Sequence, residues 1–292
     1  MKKDLKGIYT ALITPFNKNG SVNYDVLRQV VDYDLEHGID GFYVSGSTAE
    51  CFLLSVAERK KIVETVIDQN NGRGKIIVHT GSIGTKLTVE LGKHAREAGA
   101  DAISAVTPFY YKFTPDELVN YYYDVADQTK MRVIAYNFPA LTGYALTVDD
   151  VDRLSRNSGI AGIKYTCLDL YTLERFKHAH PEMTIFNGHD EVMLYGLTAG
   201  ADGGIGSTYN FMPEKYRKIV DLFHAGKITK AQEVQHEVND IIPYLGKYGA
   251  MQVAKEFLTL MGMPCGDCRG PFKPLSDSIR AELKEVYEKK LK

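Results

Sequence analysis

The feature that most constrains the fold is a repeated unit, in which a short apolar run precedes a longer segment with helical periodicity. The apolar runs begin near residues 8, 41, 75, 101, 131, 160, 183 and 203, so consecutive starts lie 20 to 34 residues apart. Each interval has room for one strand, one helix and two loops. Eight such units predict an α/β protein with the (β/α)8 TIM barrel architecture.

The pattern beyond the eighth unit is helical only. We expect helices over roughly 229–247, 250–261 and 276–290. No linker rich in proline, glycine or serine precedes them, so these three additional C-terminal helices should pack on the barrel. The sequence thus predicts a barrel over residues 1–225 and a helical extension over residues 226–292.

An open, doubly wound sheet is the competing architecture because it also alternates strands and helices. That fold usually carries a glycine-rich phosphate loop after its first strand, whereas Thr14-Pro15-Phe16 stands at this point of the chain. The sequence therefore favours the barrel.

Several predicted helices begin with a capping box, a Ser or Thr followed three residues later by an acid or amide. The pattern occurs at Ser55–Glu58, Thr114–Glu117, Thr147–Asp150 and Thr229–Gln232. In such a box the two side chains satisfy backbone N–H groups that the helix leaves free. We predict helix starts at all four places.

Charge and hydropathy narrow the range of partners. The formal net charge is −2, from 35 basic and 37 acidic residues spread along the chain. Without a basic block or a lysine-rich amphipathic stripe, we expect no nucleic acid and no membrane among the partners, and small molecules instead. The run from Ile8 to Ile13 is too short for a signal-peptide core or a membrane span, so we predict a cytoplasmic location.

Cysteine and histidine usage gives little support for a metal site. The four cysteines, Cys51, Cys167, Cys265 and Cys268, agree with a reducing compartment. The last two have metal or redox spacing, but no second pair and no nearby histidine accompanies them. The eight histidines are scattered, and we expect no bound metal.

A single lysine interrupts the apolar run of the sixth unit. Alternation along a strand divides this run into two faces, with Gly162, Lys164 and Thr166 on one and Ala161, Ile163 and Tyr165 on the other. An ammonium among apolar neighbours loses solvation, which lowers its pKa and leaves some neutral, nucleophilic amine near pH 7. A lysine at a strand end is more often a solvated cation, and these residues alone leave both interpretations open.

Polar residues end several of the other apolar runs, where such barrels place their active sites. The hydroxyls and N–H groups around Ser47 and Thr48 can hold a carboxylate, although a capped turn would look the same. Tyr136 can relay protons beside an amine, although a tyrosine at a strand end is more often part of the core. Asp190 and Glu191 are either partners of a helix dipole or ligands for sugar hydroxyls.

Five motifs, in order, resemble the dihydrodipicolinate synthase and N-acetylneuraminate lyase superfamily of class I pyruvate-dependent aldolases. The resemblance covers nearly the whole chain, and its motifs are Gly46 to Glu50, Ala105 to Tyr111, Tyr136 to Ala140, Gly162 to Thr166 and Gly203 to Asn210. It implies that Lys164 forms a Schiff base with C2 of pyruvate or of a 2-keto acid substrate, without a metal or an organic cofactor.

The same resemblance implies roles for the other catalytic residues. Tyr136 would move the proton of the substrate's C4 hydroxyl. Ser47 and Thr48 would hold the carboxylate, and Thr48 would also help the proton relay. Tyr110 resembles the family residue that reaches into the site of a neighbouring subunit, which together with the adjacent aromatic residues implies a homotetramer.

Details of the motifs resemble the lyase branch of the family more than the synthase branch. Synthases carry an arginine for a second carboxylate shortly after the Tyr-Asn-x-Pro motif, and Leu141 here cannot bind that anion. The resemblance implies contacts with a polyol substrate from Thr166, Gly188, Asp190, Glu191, Gly206 and Ser207. Two departures are Ala49, where glycine is commoner, and His189, where an aromatic residue is usual.

The resemblance therefore implies reversible cleavage of N-acetylneuraminate to N-acetylmannosamine and pyruvate, with sialic acid and pyruvate as the small-molecule partners. One alternative is another pyruvate-dependent aldolase that acts on a 2-keto-3-deoxy sugar acid. A second is a non-catalytic sensor of sugar acids, but the presence of Lys164, Tyr136 and the hydroxyl pair argues against it.

Overall fold

The computed structural model describes residues 4–292, which contain a closed barrel of eight parallel strands hydrogen-bonded in chain order. Each strand begins within two residues of its predicted start, so the predicted (β/α)8 barrel is confirmed. The strands are β1 Gly7–Ala11, β2 Gly41–Val44, β3 Lys75–His79, β4 Ala102–Val106, β5 Val133–Asn137, β6 Ile160–Tyr165, β7 Thr184–Asn187 and β8 Gly203–Gly206.

Helices surround the barrel and continue beyond it. They are α1 Tyr24–Glu36, α2 Val56–Asn70, α3 Thr85–Ala98, α4 Pro115–Thr129, α5 Pro139–Thr142, α6 Val148–Leu154, α7 Leu170–Ala179, α8 Met193–Thr198, α9 Pro213–His224, α10 Ile228–Asn239, α11 Ile242–Tyr248, α12 Ala250–Leu260 and α13 Asp277–Lys290. Among residues 4–292, no helix combines the length and the apolar composition that a membrane span requires.

Three of the four predicted capping boxes are formed. Ser55, Thr114 and Thr147 each accept a hydrogen bond from the N–H three residues later, and the acid at that position bonds back to the cap. The prediction at Thr229 is wrong, because α10 already begins at Ile228 without a side-chain cap. The reason is the turn at Gly226, whose φ of 71° ends α9 tightly and leads directly into α10.

The C-terminal helices follow the prediction with one difference. Where one helix was expected over residues 229–247, α10 ends at Asn239 and α11 begins at Ile242. Pro243 lies in the first turn of α11, where its missing N–H costs no hydrogen bond. The other two expected helices are α12 and α13. α10 packs on α8 and α9 of the barrel, so its contacts do not separate the C-terminal helices from the barrel. The predicted domain boundary between residues 225 and 226 therefore stays a prediction.

The strands separate two apolar clusters. The larger one lies between the strands and the surrounding helices. The smaller one fills the barrel interior and includes Tyr9, Tyr43, Tyr136, Phe186 and Ile205. A barrel filled in this way is a packed core and not a pore, so aromatic rings form a floor beneath the open end.

The sixth strand contains an irregularity near its start. Val133 of β5 pairs with Ile160 and the next residue, Ile134, pairs with Gly162, so Ala161 is an extra residue in β6. Ala161 therefore packs toward the barrel interior, and its predicted place on the face of Ile163 is wrong. The predicted alternation holds after this bulge.

Candidate active site

A pocket with a volume of about 400 Å³ opens at the carboxyl ends of the strands. Residues of β5 and β6 line its deep end, the turns after β2, β7 and β8 line its polar sides, and α11 and α12 line an apolar side. It brings together nine of the predicted site residues, namely Ser47, Thr48, Tyr136, Lys164, Thr166, Gly188, Asp190, Glu191 and Ser207.

Lys164 lies at the deep end of the pocket and is 5% exposed. Its Nζ is 4.3 Å from the centre of the Tyr43 ring and 4.2 Å from that of the Tyr136 ring. Among residues 4–292, no carboxylate forms an ion pair with this amine. Burial lowers the pKa of Lys164 to about 7, and the charge of Asp190 only partly opposes this fall. A large fraction of the amine is therefore neutral and nucleophilic at neutral pH.

Tyr136 is buried beside this amine. Burial raises the pKa of its phenol to about 12, while the facing hydroxyls of Ser47 and Thr166 oppose the rise. The rings of Tyr43 and His79 each lie 6.0 Å from the Tyr136 ring in a nearly perpendicular arrangement. The phenol is thus held in place, protonated at neutral pH, and next to other hydroxyls that can exchange protons with it.

His79, at the end of β3, supports the floor of the site and was not predicted from the sequence. The N–H of Val106 donates to its Nε2 at 3.2 Å, so Nδ1 carries the proton and donates to the Ser45 carbonyl at 3.0 Å. Burial lowers the pKa of His79 well below its usual range, and the imidazole is neutral. Its only signal in the sequence is a polar side chain that ends an otherwise apolar run.

The turn after β2 carries the pair Ser47 and Thr48. Thr48 Oγ1 lies 2.7 Å from Ser207 Oγ, so hydroxyls of the β2 and β8 turns contact each other. Glu50 closes the turn with a φ of 58°, and its side chain accepts from Lys255 Nζ at 2.6 Å. Ala49 is buried in this turn without a positive φ, so the alanine places no strain on the backbone.

The two acids after β7 have different surroundings. Asp190 Oδ2 accepts from the N–H and the hydroxyl of Thr208 at 2.9 and 2.8 Å. Burial nevertheless raises the pKa of Asp190. Glu191 Oε1 lies 3.0 Å from His189 Nδ1. Burial would raise the pKa of Glu191, but the bond with His189 and the local backbone outweigh it, and the pKa is lowered. Glu191 is therefore an ionised acceptor at the pocket wall.

Two glycines leave space for these polar groups. A Cβ on Gly206 would lie 2.1 Å from Asp190 Oδ1, and a Cβ on Gly188 would lie 2.0 Å from Thr166 Oγ1. Either substitution would push a side chain out of the site. Gly206 itself does not line the pocket, so its effect on a ligand passes through Asp190.

Besides Gly206, two further predicted site residues, Tyr110 and Leu141, lie outside the pocket of a single chain. Tyr110 is 83% exposed with an unusual φ of 79°, and Leu141, in the short helix α5, is 65% exposed. The sequence did not predict the apolar side of the pocket, where Ile242, Leu245 and Met251 reach the opening from α11 and α12. The helical periodicity of this region predicts that the helices pack on the barrel. It does not indicate which end of the barrel they contact.

The described part of the chain, residues 4–292, contains no group of three or more His, Cys, Asp or Glu side chains that could hold a metal ion. Burial raises the pKa of both Cys265 and Cys268 to about 12. Both thiols are consequently protonated at neutral pH.

Comparisons with known proteins identify a family and similar sequences. The sequence profile of the Dihydrodipicolinate synthetase family matches residues 4–290. N-acetylneuraminate lyase of Citrobacter koseri is 39% identical over 292 residues, which cover 99% of this chain and 98% of that protein. The same-named protein of Shigella boydii is 38% identical over the same shares of both chains.

Solved structures show the same similarity. CdNal of Clostridium difficile, solved in complex with mannosamine, has a TM-score of 0.96 and 41% identity, covering 99% of this chain and 100% of that one. N-acetylneuraminate lyase of Fusobacterium nucleatum, complexed with pyruvate, has a TM-score of 0.94 and 39% identity, covering 99% and 98%.

Proposed function

The chain belongs to the dihydrodipicolinate synthetase family, and from this membership and its pocket we infer that it cleaves N-acetylneuraminate reversibly to N-acetylmannosamine and pyruvate. It is a carbon–carbon lyase, a class I aldolase that works through a lysine Schiff base. The observation that carries this conclusion is Lys164, an amine buried at the end of a substrate-sized pocket with a pKa of about 7.

The first chemical step takes place at Lys164. Its neutral amine attacks C2 of the open-chain keto acid, and loss of water gives an imine, which takes one proton from the solvent and becomes the protonated imine. The hydroxyls of Ser47 and Thr48 bind the neighbouring carboxylate and hold C2 in reach of the amine. Water that enters the deep end after cleavage reverses this step and releases pyruvate.

The second step breaks the C3–C4 bond. The electron pair of that bond moves into the protonated imine and leaves an enamine, while the C4 hydroxyl becomes the carbonyl of N-acetylmannosamine. Tyr136 takes the C4 hydroxyl proton as its own phenolic proton moves to Ser47, with Thr48 next in the relay. The relay returns one proton to C3 of the enamine, which becomes the imine of pyruvate. In the condensation direction the protonated phenol donates to the aldehyde oxygen.

The charge of the pocket favours a polyol at the far end of the substrate. Asp190 and Glu191 place carboxylates there, which accept hydrogen bonds from hydroxyls and repel a second anionic group. Ser207 and Thr166 add further hydroxyls. Because Leu141 lies outside the pocket, we assign the choice of a polyol mainly to the acid pair, and any contribution of Leu141 stays a prediction.

Assembly and location are further parts of the proposal. Tyr110 and its neighbour Tyr111 are exposed aromatic side chains outside the pocket, which supports a homotetramer in which Tyr110 completes the site of a neighbouring subunit. The cytoplasmic location stays a prediction from the sequence.

Trapping with borohydride tests the Schiff base. Incubation with pyruvate and borohydride should add the mass of a reduced pyruvate adduct to the peptide that contains Lys164. Lys164→Arg should abolish the adduct, and Lys112→Arg, at an exposed lysine, should not. Adduct formation elsewhere, or none, would contradict the mechanism.

Substrate specificity needs a separate assay. Release of pyruvate should be fastest from N-acetylneuraminate and much slower from 2-keto-3-deoxy sugar acids. Faster release from one of the latter would favour the alternative aldolase. Adduct formation without release from any sugar acid would favour the sensor.

A further inference from the structure

Gln235 of α10 is a fully buried amide that does not line the pocket. Its hydrogen bonds connect it to a residue that does. Its Oε1 accepts from the N–H of Leu194 at 3.0 Å. Its Nε2 donates to the carbonyl of Asp190 at 3.1 Å and to Asn239 Oδ1 at 3.0 Å. Both ends of the amide are therefore satisfied by protein groups, and the bonds to Leu194 and Asp190 are buried.

Asn239 extends this network by one residue. It lies one helical turn after Gln235, so both side chains leave α10 on the same side. Asn239 Nδ2 donates to the carbonyl of Glu191 at 3.1 Å. The two amides, here named the amide clamp, thus bind the consecutive backbone carbonyls of Asp190 and Glu191.

The bound segment has little internal support. Asp190–Val192 is a 3-10 turn of three residues between β7 and α8. The hydrogen bonds of a 3-10 turn have poorer geometry than those of an α-helix. The orientation of this turn decides where the carboxylates of Asp190 and Glu191 lie in the pocket. Thr208 holds the carboxylate of Asp190, and the amide clamp holds the backbone of both residues from outside the pocket.

We propose that Gln235 and Asn239 are positioning residues that set the enzyme's affinity for the hydroxyl-bearing half of its substrate. The proposal rests on the proposed function, because that function gives the acid pair its ligand. The hydrogen bond between a substrate hydroxyl and a carboxylate is lost when these two groups move apart by about 1 Å. Pyruvate lacks the hydroxyl-bearing half of the substrate, so imine formation between pyruvate and Lys164 needs no hydrogen bond from the acid pair.

A purely structural role would give a different pattern of effects. If the amide clamp only held α10 on the barrel, its loss would lower stability and would weaken every activity together. With a positioning role, loss of the amide clamp raises KM for the sugar acid and leaves the rate of pyruvate trapping unchanged. The test therefore compares the two quantities in the same variant.

Asn239→Asp is the most selective variant. It keeps the acceptor that Gln235 uses and replaces the donor to Glu191 with a carboxylate oxygen, which repels the Glu191 carbonyl. We expect KM for N-acetylneuraminate to rise about tenfold, with kcat changed less than about twofold and borohydride trapping of pyruvate unchanged. Gln235→Met removes three hydrogen bonds at similar volume, and its rise in KM should be larger.

Gln232→Met is the matched control, because Gln232 is exposed on the same helix. It should leave KM, kcat and trapping unchanged. An unchanged KM in Asn239→Asp would overturn the proposal, and so would an equal loss of trapping and cleavage in a variant that still folds. If Gln235→Met does not fold, Asn239→Asp decides alone.

The outcome is distinguishable from a failure of the proposed function. If the wild-type protein cleaves a 2-keto-3-deoxy sugar acid and not N-acetylneuraminate, the proposed function is wrong. The amide clamp is then tested by the same comparison of KM and trapping on that sugar acid, since it also carries hydroxyls beyond C4.

Discussion

Lys164 and Lys255 are both buried, at 5% and 1% exposure, yet their surroundings are opposite. Lys164 faces two tyrosine rings at the deep end of the pocket, without an ion-pair partner among residues 4–292. Lys255 of α12 lies 2.6 Å from Glu50 Oε1 and 4.1 Å from the centre of the Phe16 ring. The same side chain is thus used in two environments that differ mainly in one carboxylate.

The difference shows what makes a buried lysine reactive. Without a carboxylate, desolvation favours the neutral amine, which is the nucleophile. With a carboxylate at bonding distance, the lysine forms a salt bridge that anchors one element to another. Here the anchor joins α12 to the turn that carries Ser47 and Thr48, so the second lysine holds a binding element in place for the first.

Removal of Lys164 should give the largest effect on activity. In Lys164→Met we expect kcat to fall by about 10⁴-fold or more, because no imine can form. Its stability should be unchanged or higher, because the substitution removes a desolvated amine that has no partner. Steady-state kinetics and denaturant unfolding measure the two quantities. A large loss of stability would mean that Lys164 is a structural residue like Lys255.

Removal of Lys255 should reverse this pattern. Lys255→Met leaves Glu50 buried without its partner, so we expect a loss of about 3–5 kcal/mol in the free energy of unfolding. The double variant Glu50→Gln with Lys255→Met should recover much of this loss. Equal stability of the single and the double variant would show that the pair does not act as an anchor.

Removal of the Tyr136 hydroxyl should affect only the second chemical step. Tyr136→Phe keeps the ring beside Lys164, so trapping of pyruvate by borohydride should persist. We expect kcat for cleavage to fall by about 10²-fold, the usual contribution of an acid–base group. A near-normal rate of cleavage would contradict the assigned proton relay. Lys164 would then be the only catalytic residue that the data support.

Asp34 offers a smaller test of buried charge without a partner. Neither of its carboxylate oxygens has a partner in good hydrogen-bond geometry among residues 4–292. Burial raises its pKa well above the usual range, although the nearby Thr10 hydroxyl opposes the rise. Its folded pKa therefore exceeds the unfolded value of about 3.9, so stability falls as the pH rises from the unfolded to the folded pKa. Asp34→Asn should raise the free energy of unfolding at neutral pH by about 1 kcal/mol, with less effect near pH 4. Urea unfolding at both pH values checks the sign.

Much of the architecture and of the pocket could be predicted from local patterns. The spacing of apolar runs predicts the barrel, and the barrel predicts that residues at strand ends such as Lys164, Tyr136 and Asp190 meet. These inferences need only periodicity and one rule of topology.

The remaining features depend on contacts between distant segments. The bulge at Ala161 follows from pairing with β5, and the approach of Met251 to the pocket follows from how α12 packs. The partner of Lys255 lies more than 200 residues away in the chain, at Glu50. No local pattern distinguishes that lysine from Lys164, because the distinction is made by the fold.

The central claim is that burial without a counterion makes Lys164 a nucleophile at neutral pH. Its most direct test is the pH dependence of the rate at which borohydride traps pyruvate on Lys164, followed by mass spectrometry of the modified peptide. We predict a rate that rises with pH and has a midpoint near 7, as burial of the amine requires. A midpoint near that of an ordinary lysine, about 10.4, would contradict it.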